Sequence, residues 1–157
     1  MSKSLKRVRR ALVDAGLEVD VVETSGSART AAEAAVEAGC HLDQIAKSII
    51  FRGAETGAAI LFVTAGGNKV DAGKASAVAG EDLGKADAGL IRAQTGFAIG
   101  GVAPIGHLNP IRAFWDSRLS EFDLVWAAAG TPRHIFPIDP AVLQGLVGAK
   151  TADFLLK

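Results

Sequence analysis

Ser48-Ile49-Ile50-Phe51 and Ala58-Ala59-Ile60-Leu61-Phe62-Val63-Thr64, separated by Arg52-Gly53-Ala54-Glu55-Thr56-Gly57, decide how this chain folds. Both outer runs are rich in β-branched and aromatic residues, and the segment between them carries two glycines and polar side chains, so a β-hairpin is the economical reading. This hairpin is expected at the centre of the sheet.

Upstream of it, Lys3 to Ala15 place Leu5, Val8, Leu12 and Ala15 on one helical stripe, and Gly16 is a good residue to end that helix. Leu17-Glu18-Val19-Asp20-Val21-Val22-Glu23 alternates like a half-buried strand. Thr30 is the expected N-cap of a helix from Ala31 to Ala38, with Glu33 completing a capping box and Gly39 as the stop. Downstream, Asp71 to Ala79 and Lys85 to Gln94 read as helices closed by Gly80 and Gly96. Phe97 to Ile99, Asp123 to Ala127 and Ile135 to Ile138 read as short strands, and Pro140 to Leu146 as a last helix capped by Asp139. Without strict βαβ alternation, the class expected is α+β: a mixed, strongly curved, barrel-like sheet flanked by helices. No repeat, low-complexity tract or linker divides the chain, so residues 1–157 are read as a single domain, long enough to bury a core.

Seventeen basic and seventeen acidic residues cancel, which argues against a dedicated nucleic-acid binder with a global positive field. A local basic face remains: Lys3, Lys6, Arg7 and Arg10 share one side of the first helix, either as a solvated surface or as a stripe that meets RNA phosphates. The single Cys40 cannot pair within the chain, which suits a reducing compartment. The first residues lack the apolar core of a signal peptide, and no apolar run reaches the roughly 18 residues of a membrane span. A cytoplasmic protein with no membrane partner and no DNA partner is expected.

Three segments carry candidate chemistry. In Gly100-Gly101-Val102-Ala103-Pro104-Ile105-Gly106-His107, three glycines and a proline build a tight turn whose amides can approach a ligand with no Cβ in the way. In Gln44-Ile45-Ala46-Lys47-Ser48-Ile49-Ile50-Phe51, one lysine stands in an apolar run. If the strand begins near Ile45, Lys47 shares a face with Ile49 and Phe51 and its ammonium points at an apolar cavity, where it needs an oxygen partner to offset desolvation. One residue out of phase, it merely reaches solvent at the sheet edge. In Gly130-Thr131-Pro132-Arg133-His134, Thr131 offers a hydroxyl and His134 an imidazole, for a pocket or for the fold.

In this order and at these separations the three segments resemble the YbaK/ProX family of aminoacyl-tRNA deacylases, free-standing relatives of the editing domain of bacterial prolyl-tRNA synthetases. The resemblance runs from about Leu5 to Phe154. It implies that the chain is a trans-editing hydrolase. The substrate would be a mischarged transfer RNA, most of all proline transfer RNA bearing a small non-cognate amino acid such as alanine or cysteine, met at its 3′ acceptor end, with prolyl-tRNA synthetase as a further partner to test. A synthetase pocket rejects a smaller amino acid poorly, because a missing methylene is worth only ~1–3 kcal/mol, so a second hydrolytic sieve is useful. The resemblance makes Lys47 the residue required for editing and brings the Gly100–His107 loop to the scissile ester, where the Gly100 and Gly101 amides would hold the oxyanion. Thr30, Pro104, Gly106, His107, Gly130, Thr131 and His134 join them as expected substrate contacts. Two departures bear on this: many relatives carry another polar residue in place of His107, and the cysteine-specific members carry a different loop in place of Gly130–His134, which leaves the amino acid open.

Other chemistries fail on spacing. His41, His107, His134 and Cys40 lack the separations of a zinc site, so no metal and no cofactor are expected. Gly67 to Lys74 has five residues between its glycines and ends in Ala75, which excludes a phosphate loop, and no G-x-S-x-G elbow supplies a serine nucleophile. A non-catalytic module that holds an aminoacyl or nucleotide end, and a hydrolase of another small ester, stand as the alternatives.

Overall fold

Ser2 caps the first helix, its side chain accepting the amide of Leu5, and α1 then runs over Lys3–Asp14 with Leu5, Val8 and Leu12 buried. Gly16, at φ 77°, follows its end. The computed structural model describes residues 2–157, and its further elements are β1 (Val22–Glu23), α2 (Ala31–Ala38), a 3-10 turn (Leu42–Gln44), β2 (Ala46–Gly53), β3 (Ala59–Ala65), α3 (Ala72–Ala79), β4 (Leu83–Lys85), α4 (Ala88–Thr95), β5 (Arg112–Trp115), a second 3-10 turn (Ser117–Glu121), β6 (Val125–Ala128), β7 (His134–Ile138), α5 (Pro140–Val147) and β8 (Lys150–Thr151).

The hairpin is where the sequence puts it. β2 and β3 pair antiparallel from Ala46↔Ala65 to Arg52↔Ala59, and every residue of β3 is buried. They lie inside a five-stranded sheet of order β4-β2-β3-β5-β8, mixed because β5 runs parallel to both β3 and β8. The register sorts the hairpin's side chains. Leu61, Val63 and Ala65 join the main core with Trp115, Phe97, Phe136 and α1, whereas Ile60 and Phe62 face α3 and Phe154 on the other side.

One strongly curved, barrel-like sheet is not what forms. β1, β7 and β6 make a second, three-stranded sheet, and an isolated bridge, Ile45↔Trp126, joins it to the first. The reason is packing. Ala34 and Ala35 of α2 wedge against Ile45, Ile135 and Trp126, so β6 meets β2 at its start and then diverges. Expected strands also shrink: of Leu17–Glu23 only β1 pairs, and Phe97–Ile99 is a loop, held between Gly96 and Gly100 at φ 84° and 93°. Lys85 lies in β4, and α4 begins three residues later behind its cap Asp87. Among the described residues no helix is long and apolar enough to cross a membrane.

Candidate active site

Where the two sheets part, a cavity of about 320 Å³ opens, walled by α2, β2, β6, Ile91 of α4 and the loop at Ile99–Val102. Its floor is the free edge of β2. β4 pairs with β2 only at Phe51–Gly53, and the bridge to Trp126 lies at the other end. Strand alternation then fixes which groups face the gap. Gly53 donates to Ala58 O, so odd-numbered residues of β2 bond β3, while Ser48 and Ile50 turn their amides and carbonyls to the open side. Ser48 adds a buried hydroxyl with no hydrogen-bond partner among the described residues. A buried polar group left unpaired is costly, and such groups gather where a ligand completes them. Sequence reading missed this edge; the one available signal was a serine beside Lys47 at the start of the apolar run Ile49-Ile50-Phe51.

Lys47 stands in the same wall. Its ammonium donates to the main-chain oxygens of Gly66, at 3.2 Å, and Asn68, at 2.5 Å. An ammonium has three donors, so one is left for a ligand. Burial holds its pKa below the ordinary lysine value and the nearby Lys69 pushes the same way, while Asp116 and Asp43 pull it back up. Thr30 also lines the cavity and caps α2 as expected, accepting from Glu33 N while the Glu33 carboxylate accepts from Thr30 N. At the rim, Arg29 lies against Gly100: a Cβ there would come within 2.8 Å of its side chain. Arg29 was not singled out from sequence, because a lone exposed arginine carries no pattern.

The remaining expected contacts divide. Gly100 lines the cavity. Gly101 does not; its amide donates to Ala98 O at 3.1 Å, and its Cα lies so near the Thr131 backbone that a Cβ would come within 2.7 Å. Thr131 and His134 bond each other, Oγ1 to Nδ1 at 2.6 Å, in a separate depression beside Arg9 and Glu23. Gly130, at φ 95°, passes close to Ser4 O of α1.

Pro104, Gly106 and His107 border a second depression, toward α1 and α5. His107 is turned inward: its Nε2 donates to Ala103 O across 2.7 Å and its ring meets Phe97 edge-on. Burial pushes its pKa below the ordinary histidine value, with Arg7 acting the same way against the Ala103 bond. The basic face of α1 is likewise reduced. Arg7 reaches over the Phe97 ring to bond Gly96 O at 2.6 Å and Gly106 O at 3.3 Å, and Arg10 pairs with Asp14. Lys3 and Lys6 are exposed.

Cys40 is half-buried and its thiol pKa is raised by burial, the opposite of an activated nucleophile. His41 caps the first 3-10 turn through Asp43 N. Among the described residues no group of three or more His, Cys, Asp and Glu side chains is placed to hold a metal ion.

The model of the aminoacyl-tRNA editing domain matches residues 25–146, which span the cavity, the Lys47 strand and both glycine loops. The uncharacterized protein YwhH of Bacillus subtilis is 35% identical over 141 residues, covering 90% of this chain and 89% of its own. Among solved structures, a candidate trans-editing enzyme for prolyl tRNA synthetase is 44% identical with a TM-score of 0.92, covering 100% of this chain and 99% of its own. The hypothetical protein APE2540 superposes with a TM-score of 0.86 at 25% identity, covering 96% of this chain and 99% of its own.

Proposed function

The chain belongs to the aminoacyl-tRNA editing domain family, and from that premise we propose that it is a trans-editing deacylase whose catalytic chamber is the cavity along the β2 edge. The observation that carries this reading is Lys47, which lines a mainly apolar cavity and has two of its ammonium donors fixed by backbone oxygens. A preset cation in a low-dielectric pocket stabilises charge that develops during reaction far better than water does.

Ester hydrolysis places that charge on the carbonyl oxygen. In the proposed chamber the free Lys47 donor and the Gly100 amide face the reacting group, Gly100 having no main-chain partner for its N–H among the described residues. The open carbonyls of Ser48 and Ile50 suit the substrate's α-ammonium, as oxygens lined along a strand edge accept from a cation. Gly101, Gly130, Thr131 and His134 then act behind this wall, Gly101 by seating the glycine loop on the Thr131 backbone. The attacking water is oriented by the substrate's own terminal ribose hydroxyl, and the step is metal-independent. Arg29 at the rim is placed for a phosphate of the acceptor end.

At about 320 Å³ the cavity has room for an aminoacyl group. We assign proline transfer RNA carrying a small non-cognate amino acid such as alanine or cysteine as the substrate, prolyl-tRNA synthetase as the candidate delivering partner, the cytoplasm as the working compartment and residues 1–157 as one functional domain. A panel of mischarged proline transfer RNAs, assayed for amino-acid release with EDTA present, tests this. Release dependent on transfer RNA is the expected result. Binding without release would make the protein a module that holds the end, and equal release from simple amino-acid esters would make it a general esterase.

A further inference from the structure

Lys47 does not hold itself. Its two oxygen partners belong to the turn that leaves β3 at Gly66-Gly67-Asn68, and two carboxylates from distant elements pin that turn. Asp116, only 1% exposed after β5, accepts from Ala65 N at 3.0 Å and from the Asn68 side-chain amide at 2.9 Å. Asp43, in the first 3-10 turn, accepts from Gly67 N at 2.8 Å. Arg118 joins the two, donating through Nε to Asp43 at 3.1 Å and through its backbone amide to Asp116 at 2.9 Å. The chain is tight as well as bonded: a Cβ at Gly66 would strike the Leu42 carbonyl and one at Gly67 the Asp43 carboxylate.

We propose that Asp116 and Asp43, tied through Arg118, are positioning residues that fix the Gly66–Asn68 turn and thereby set where the Lys47 ammonium stands. Neither is assigned contact with a substrate. The inference rests on the reading of the cavity as the deacylation site for its catalytic consequence, but its geometric half stands alone. A buried carboxylate is retained only if its partners satisfy it, and all of those of Asp116 lie on this brace or on its own capping turn. Both carboxylates also favour the charged form of Lys47, against burial and Lys69. Removing one should loosen the turn and drive the ammonium toward neutrality.

The experiment is an NMR titration of the Lys47 side chain in ¹³C-lysine protein, the resonance being assigned by its loss in Lys47→Arg. Wild type is compared with Asp116→Asn and Asp43→Asn. The expected result is a midpoint displaced to lower pH in both variants, together with a kcat for deacylation lower by about tenfold, the scale on which a slightly misplaced group acts. An unmoved Lys47 midpoint in both, with only the melting temperature reduced, would overturn the proposal and leave Asp116 a helix cap. Should Asp116→Asn fail to fold, Asp43→Asn decides alone by the same two outcomes. The two readings fail separately: a displaced midpoint in a protein that releases no amino acid sinks the deacylase assignment and keeps the coupling of the two carboxylates to Lys47.

Discussion

The Nζ of Lys47 lies 2.5 Å from the carbonyl oxygen of Asn68, a residue of the turn at the far end of the neighbouring strand β3. The cation is therefore fixed by backbone before any ligand arrives. Fixing an ammonium among carbonyls makes it a rigid electrostatic element, while burial makes the charge harder to keep at high pH.

Lys47→Ala is expected to reduce deacylation by at least ~10²-fold while the protein stays folded, on the scale of losing one preset donor. The pH dependence has two opposite arms. Activity needs the charged form, so it is lost as pH rises through the folded pKa, below the 10.5 of a free lysine. Stability runs the other way: between the folded pKa and 10.5 the unfolded chain binds more protons, so this group's contribution rises with pH. Lys47→Met, which keeps the stem, should show neither arm when kcat/KM and urea midpoints are measured from pH 8 to 11.

Gly101→Ala is expected to be worse for folding than Gly84→Ala. At Gly101 the new Cβ meets Thr131 backbone at 2.7–3.0 Å, which no rotamer change relieves, whereas at Gly84 nothing lies within 4 Å. Thermal melts of both variants check this; equal melting temperatures would show that the two loops are not packed together.

The hairpin and α1 were legible from their apolar patterns, and α3 and α5 from their caps, such as Asp71 before α3 and Gly80 after it. β5 and β8 were not. Arg112–Trp115 is a four-residue parallel strand, and Lys150–Thr151 has two residues, exposed at the edge, so neither shows an alternation that sequence can reveal. For the site, the isolated Lys47 and the loop at Gly100 were readable as chemistry breaking an apolar pattern. The separation of His107, Thr131 and His134 from the cavity was not, because it depends on how α1 packs behind the glycine loops, with Arg7 filling the space above Phe97.

His107 is expected to matter for stability more than for turnover. Its folded pKa lies below 6.5, so between that value and 6.5 the unfolded state binds more protons. The contribution of the neutral ring is complete above about pH 6.5 and is lost as pH falls toward the folded pKa. Denaturant midpoints should therefore drop between pH 7.5 and 5 more steeply in wild type than in His107→Gln, with deacylation at pH 7.5 changed only mildly. A large loss of turnover at full stability would return His107 to the reacting centre as an acid or base.

Ser48 puts stability and function in opposition. Its hydroxyl is buried in the cavity wall without a partner, an arrangement that costs roughly 1–3 kcal/mol in a folded protein. Ser48→Ala removes the unsatisfied group and should raise the melting temperature. If the hydroxyl serves the substrate, the same change removes one hydrogen bond, worth about 0.5–1.5 kcal/mol, from ground state and transition state alike. KM should then rise by up to about tenfold with kcat little altered. Ser48→Thr keeps the hydroxyl on a strand-compatible side chain and should hold KM near the wild-type value. A Ser48→Ala protein that is stabler and keeps its KM would mean that the hydroxyl meets no substrate atom, leaving the open main-chain groups of Ser48 and Ile50 as the edge's contribution to binding.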